Sequence, residues 1–280
     1  AAAIAVITRG LQFLPDSFTN NGAMTRWIDR LTGGPRIKDE MYVHLDDKLG
    51  SRRAAEVVLP LIRARVPMRS LLDVGCGVGS WLAAAKTMGV DDVLGVDIDY
   101  LDTALLKIPA SQYRAFDLRQ PLVLERSFDV ALALEVAGYL PPECAETLVG
   151  SLTRAAPVVV FSSAIPFQDS SGIQTNQQWP EYWARLFAAR NYQVVDCLRR
   201  PLWSDPTISW WFSQNMLMFV REDVLATSPQ LVKDREHTYP EQLSLVHPEF
   251  YLSKRPLRAL VADVVPAAKL AVQRRLGKAE

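Results

Sequence analysis

Leu71-Leu72-Asp73-Val74-Gly75-Cys76-Gly77-Val78-Gly79-Ser80-Trp81 runs an apolar strand into three alternate glycines, and a helical pattern follows at once. Glycines let the backbone turn sharply and let a ligand approach with no Cβ in the way. The free N–H groups and the positive dipole end at a helix start suit a carboxylate or a phosphate. A Gly-x-Gly pair alone recurs in many tight turns, so this loop takes its meaning from what surrounds it.

Outward from the loop, strand-like and helix-like stretches alternate. Strands are predicted at Ser70–Val74, Asp92–Val96, Gln112–Phe116, Phe128–Leu134, Pro157–Ser162, Tyr192–Asp196 and Gln214–Val220. Helical spacing appears over Ser51–Arg65, Ser80–Met88 with Ser80 as N-cap, Pro142–Arg154 and Trp179–Arg190, the last two with proline in the first turn. Such alternation predicts an α/β fold with a parallel sheet covered on both faces and joined by right-handed crossovers. The interval Arg199 to Ser213 holds prolines and tryptophans and no helical pattern, so the last strand is expected to be antiparallel.

Composition sets the outer bounds. The chain has 280 residues, 49% hydrophobic and 22% charged, enough apolar side chain for a full soluble core. Lysine plus arginine equals aspartate plus glutamate at 31 each, and this neutral balance disfavours a nucleic-acid partner. Cys76, Cys144 and Cys197 form neither a Cys-x-x-Cys pair nor a disulfide framework, which fits a reducing, cytoplasmic setting. With three histidines (His44, His237, His247) and no His-x-x-x-His, no protein-built metal site is expected. The apolar run 1–8 is cut by Arg9 and is too short to cross a bilayer, and no other stretch approaches eighteen apolar residues.

Three parts are expected: a leader over residues 1–49 with a short helix near Met24–Leu31, the α/β domain over 50–222, and an extension over 223–280. In the extension, Pro256 to Lys278 mixes Leu257, Leu260, Val261 and Val264 with Arg258, Lys269, Arg274 and Arg275, and Pro266 would kink a helix there. The plain reading is a terminal helix packed on the domain or on a second copy of the chain. Peripheral contact with an anionic membrane surface is the alternative.

Three further residues give the glycine loop its context. Asp97 ends the second strand, where an acid accepts ribose hydroxyls; Asp117 ends the third, and Glu135 the fourth. Open α/β sheets bind ligands beyond the carboxyl ends of their strands, so these residues are expected to converge on one crevice. A dinucleotide loop of the form Gly-x-Gly-x-x-Gly would place glycine at position 80, where Ser80 stands.

Asp73-Val-Gly-Cys-Gly-Val-Gly79, Gly95-Val-Asp97, Phe116-Asp117-Leu118 and Leu134-Glu135-Val136 together resemble the successive motifs of class I S-adenosylmethionine-dependent methyltransferases. The resemblance covers roughly residues 50–220. It implies a Rossmann-like doubly wound seven-stranded sheet of order 3-2-1-4-5-7-6 with strand 7 antiparallel, and S-adenosylmethionine as cofactor. By the same resemblance, Gly75, Gly77 and Gly79 line the methionine part, Asp73 holds the amino group or the loop, Asp97 binds the ribose and Asp117 with Leu118 frames the adenine, with Cys76 and Ile98 also at the cofactor. Glu135 completes the cofactor set, and residues 1–49 would cap the crevice.

The acceptor side carries fewer signals. Where many such enzymes have Glu-His, this chain reads Gly138-Tyr139, which leaves Tyr139 to polarise an acceptor or line its pocket. His44 is the histidine nearest the domain start and a candidate base or acceptor contact. The loop Ser162 to Pro180 resembles a bacterial subgroup linked to glycan and surface-polysaccharide methylation, with Asn176, Gln178, Trp179 and Pro180 matching. Gln174 and Gln177 replace that subgroup's histidine and glutamate. Trp203, Trp210, Trp211, Phe212, Gln214 and Asn215 match it as well. Gln174, Asn176 and Trp179 are the candidate substrate contacts, since amides both donate to and accept from hydroxyls. The leading expectation is O-methylation of a sugar hydroxyl or similar polar small molecule. The alternatives are a binding protein for S-adenosylmethionine or its product, and an N- or C-methyltransferase of a secondary metabolite.

Overall fold

The computed structural model describes residues 50–99, 103–169 and 173–254. His44, the helix expected near Met24–Leu31 and the tail Pro256–Lys278 lie outside them. The chain divides into two compact units, Ala1–Leu245 and Val246–Glu280.

The first unit holds one seven-stranded sheet: β1 (Ser70–Val74), β2 (Asp92–Asp97), β3 (Tyr113–Ala115), β4 (Val130–Leu134), β5 (Val158–Ser162), β6 (Tyr192–Val195) and β7 (Leu217–Arg221). Their order is β3-β2-β1-β4-β5-β7-β6. β1 to β5 pair in parallel, in registers such as Leu71↔Val93 and Leu71↔Val130. β7 runs antiparallel to both β5 and β6. The expected order and the reversed last strand are both present.

Alternation along the strands divides the core into two layers, because successive side chains point to opposite faces. Leu71, Val130, Leu132, Val158, Val160, Met218 and Val220 face one layer, completed by helices α1 (Ser51–Arg63) and α2 (Ser80–Thr87). Leu72, Val74, Ala131, Ala133, Val159, Phe161 and Phe219 face the other, under α3 (Ala145–Ala155) and α4 (Pro180–Ala188). In that second layer Phe187 stacks on Phe219 with ring centroids 3.9 Å apart. The β4 sequence Val-Ala-Leu-Ala-Leu reads as apolar throughout because both faces are covered.

Two local expectations are corrected. Ser80 does not cap α2: Gly79 does, at φ 82°, and Ser80 is the first helical residue, with 3% of its surface exposed. The glycine loop winds so tightly that a left-handed residue enters the helix directly. The interval after β6 is not free of helix, for it contains α5 (Arg199–Leu202) and α6 (Trp210–Asn215). These span too few turns for a period of 3.6 residues to show. Accordingly β7 starts at Leu217, and Gln214 and Asn215 close α6 instead of opening the strand. After β7 come α7 (Glu222–Thr227) and α8 (Pro229–Glu236), whose Leu231 is fully buried in the first layer. In the second unit, α9 (Pro248–Ser253) is capped by His247, whose ring accepts from the Glu249 N–H at 3.3 Å. Among the described residues no helix is long and apolar enough to cross a membrane.

Candidate active site

The carboxyl edge of β1 and β2 is built from backbone. Gly75, Gly77 and Gly79 all have left-handed φ, at 83°, 52° and 82°. A Cβ on Gly75 would lie 2.5 Å from Val136 Cγ2, so the loop is pressed against the segment that leaves β4. The N–H groups of Gly75 and Cys76 both donate to Val96 O, at 2.8 and 3.3 Å, which ties the loop to β2. Beneath it, a Cβ on Gly95 would meet Cys76 Sγ at 2.7 Å. Gly95 therefore makes room for Cys76, a constraint that spacing alone does not reveal.

Asp97 ends β2 with 8% of its surface exposed. Its Oδ2 accepts the Gly77 N–H and its Oδ1 the Ile98 N–H, each at 2.7 Å. Burial pushes its pKa up to about 6, against the pull of these two donors. Burial also pushes the Cys76 thiol up, and the carboxylates of Asp97 and Asp73 add to the effect. Asp73 itself is buried in β1, in register with Gly95 and Leu132.

The two residues expected at the adenine part separate. Leu118 is buried in the second core layer. Asp117 is half-buried and held by Arg119, whose guanidinium Nη2 donates to Asp117 Oδ2 at 2.8 Å, and this pair lowers the Asp117 pKa.

At the other end of the same edge the construction changes. Glu135 follows β4 in the left-handed region at φ 55°, a conformation that persists in a non-glycine residue only where the surroundings hold it. Its N–H donates to Ser162 O at 2.9 Å and to Ser162 Oγ at 3.1 Å, at the end of β5. Its carboxylate accepts from Asn215 Nδ2 at 3.1 Å and from Gln168 Nε2 at 3.4 Å. Asn215 Nδ2 also donates to Gln168 Oε1 at 3.0 Å, and Gln214 Nε2 donates to Asn215 Oδ1 at 2.9 Å. Enclosure pushes the Glu135 pKa up to about 7, with Asn215, Ser162 and Gln168 pulling it back. Antiparallel β7 makes the cluster feasible: Leu217 pairs with Phe161, so the residues just before β7 arrive beside the carboxyl end of β5.

Beneath this cluster lies a buried cation. Arg199, 1% exposed, pairs with Asp196 at 2.6 Å and donates to Gln214 O at 3.3 Å and Leu243 O at 2.6 Å. It fixes the end of α6, where Gln214 and Asn215 stand.

The loop between β5 and α4 is stitched to itself and to the loop after β4. Asp169 Oδ2 accepts the N–H groups of Ile173 and Gln174 at 3.0 and 2.9 Å. Gln177 bonds to both backbone groups of Asp169, at 2.8 and 3.1 Å. Asn176, 1% exposed, donates its N–H to Gly138 O at 3.1 Å, and its Oδ1 accepts from Gln178 at 3.2 Å. A Cβ on Gly138 would lie 3.2 Å from Gln174 Oε1, so glycine there lets Gln174 come close. Tyr139 beside it is 42% exposed; desolvation raises its phenol pKa, a Gln174 hydrogen bond opposes this, and the Glu135 and Asp169 carboxylates add to the rise. Trp179, 40% exposed, caps α4.

Tyr139 and Gln174 thus stand together near Glu135. Asn176 is committed to holding the two loops together. Sequence reading passed over Gln168, Ser162 and Arg199 as site residues, and no local pattern marks them.

The Asp97 end fits a nucleoside. Each of its carboxylate oxygens carries one backbone N–H and keeps a further acceptor position, enough for two neighbouring ribose hydroxyls. A family model described as "Methyltransferase domain" matches residues 23–215. A ribosomal protein L11 methyltransferase of Laribacter hongkongensis is 32% identical over 132 residues, which are 43% of this chain and 44% of that protein. The chain thus aligns with under half of that relative's length. The solved structure of DesVI from Streptomyces venezuelae is similar over 66% of this chain and 99% of that one, with 17% identity and a TM-score of 0.49. That of CalS10, an amino pentose methyltransferase from Micromonospora echinaspora, is similar over 64% and 96%, with 18% identity and a TM-score of 0.45.

Proposed function

This chain belongs to the methyltransferase domain family with S-adenosylmethionine as its donor, and from that premise we propose that it methylates an oxygen of a hydroxyl-rich small molecule, a sugar first of all. The observation that carries this reading is the polar wall after β4 and β5. Glu135, Tyr139, Gln168, Gln174 and Asn215 present a carboxylate, a phenol and amides in one neighbourhood, with the exposed Trp179 on the same loop. Amides match hydroxyls as both donors and acceptors, and an aromatic face suits the apolar side of a sugar ring.

When bound, S-adenosylmethionine supplies an electrophilic methyl carbon on a sulfonium. Asp97 would hold the ribose hydroxyls, Leu118 would bound the adenine, and the Gly75–Gly79 loop would receive the methionine part. The remaining tasks are positioning and exclusion of water, which the stitched loop 163–179 suits.

The reading is tested by incubating the protein with methyl-labelled S-adenosylmethionine and a panel of free, glycosidic and nucleoside-diphosphate-linked sugars, followed by mass and NMR analysis of the product. Methyl groups on oxygen support it. Methyl groups found only on nitrogen or carbon, or donor binding without turnover on any acceptor, would displace it.

A further inference from the structure

We propose that Glu135 is the catalytic residue that takes the proton from the acceptor hydroxyl, and that Gln168, Asn215 and Gln214 are positioning residues that keep its carboxylate ready to do so. The inference rests on the O-methylation reading above and assigns its proton.

The amides cannot be turned the other way without losing a bond. Gln168 Oε1 accepts the backbone N–H of Ile165 at 3.2 Å, and a backbone N–H can only donate. That fixes Gln168 Oε1 toward Ile165 and turns its Nε2 to Glu135. Asn215 must then offer Nδ2 to Gln168 Oε1, which directs the same NH2 group to Glu135 Oε1, while Oδ1 is taken by Gln214. Both amides therefore donate to Glu135. These donors favour the anion against the burial that raises its pKa, so the carboxylate can both ionise and accept a proton, and the left-handed backbone at Glu135 is the strain that such a fixed placement stores.

The groups facing it are few. From β5 comes the Ser162 hydroxyl, from α6 and the loop after β5 the amides, and from the turn after β4 the Tyr139 phenol. Tyr139 is poorly suited to take the proton first, because its phenol is pushed above its ordinary range while Glu135 titrates at about 7. The step balances without a further reactant. The acceptor oxygen bonds the methyl carbon, its proton passes to a Glu135 oxygen, and the carbon–sulfur bond breaks with its electron pair staying on sulfur as S-adenosylhomocysteine. Solvent later removes the proton.

The test uses the full chain with S-adenosylmethionine and the best sugar acceptor from the panel, comparing wild type with Glu135→Gln and Asn215→Ala. In wild type, kcat at saturating donor should fall as pH drops below about 7. Glu135→Gln should lower kcat by about 10²- to 10⁴-fold, remove that acidic limb, and leave S-adenosylhomocysteine affinity within about three-fold. Asn215→Ala removes a donor and should move the limb to higher pH. An independent readout needs no acceptor. The raised carboxyl costs folding stability once ionised, so the Tm of Glu135→Gln relative to wild type should be higher at pH 8 than at pH 5. Wild-type kcat in Glu135→Gln, a limb that survives there and disappears in Tyr139→Phe, or collapse of S-adenosylhomocysteine binding in Glu135→Gln would each overturn the assignment. Wild-type transfer to nitrogen or carbon alone would overturn the oxygen reading, and the base with it.

Discussion

The two halves of the sheet's carboxyl edge are made in different ways. Beyond β1 and β2 the site is backbone: three left-handed glycines, paired N–H groups, and one carboxylate whose contacts are Gly77 and Ile98, within its own neighbourhood. Beyond β4, β5 and the start of β7 it is side chain: a carboxylate held by amides 33 and 80 positions away along the chain. The side-chain half can be altered by a few substitutions, although its Glu135 backbone is held at φ 55° by Ser162.

The sharpest break of that comparison is at Asp97. Asp97→Ala removes both proposed ribose contacts and takes the carboxylate acceptor from the Gly77 and Ile98 N–H groups. With charge-assisted bonds worth about 1.5–3 kcal/mol each, S-adenosylhomocysteine affinity should fall by about 10²-fold or more in calorimetry. Gly75→Ala comes next. It meets both a left-handed φ and Val136 at 2.5 Å, so a loss of about 2–4 kcal/mol in denaturant unfolding is expected.

Acid should separate the halves more gently. Protonating Asp97 below about 6 removes an acceptor, so S-adenosylhomocysteine affinity should weaken between pH 7.5 and 5. Its folding term has the opposite sign. Because the folded pKa is raised, the stability tied to Asp97 is present at low pH and lost as pH rises through about 6. Asn176→Ala keeps the backbone bond to Gly138 O but removes the side-chain bonds to Ala137 O and from Gln178, so it should loosen the loops and raise KM for the acceptor several-fold while donor affinity stays constant. Trp179→Ala, at an exposed position, should alter acceptor KM and leave stability within about 0.5 kcal/mol.

The same contrast explains what could be read before the structure. Ser70–Val74, the glycine loop and Asp97 lie close together in sequence, and each is dictated by a local need: an apolar strand, a left-handed turn, an acid at a strand end. The antiparallel β7 was legible from the weak pattern before it, although the reason was incomplete, since α5 and α6 fill that stretch. Gln168 and Arg199 were not legible as site residues. A glutamine in a polar loop and the first arginine of an Arg-Arg-Pro run look like solvated residues until β7 brings α6 alongside β5. Asn176 was legible as special, and its burial at 1% ties it to the loops through Gly138 O and Gln178.

Calorimetric titration of S-adenosylhomocysteine into wild type, Asp97→Ala and Glu135→Gln tests most directly whether one half serves the donor and the other the acceptor. The account expects binding to fall by about 10²-fold in Asp97→Ala and to stay within about three-fold of wild type in Glu135→Gln. Equal losses in the two variants would contradict it and make Glu135 part of the donor site.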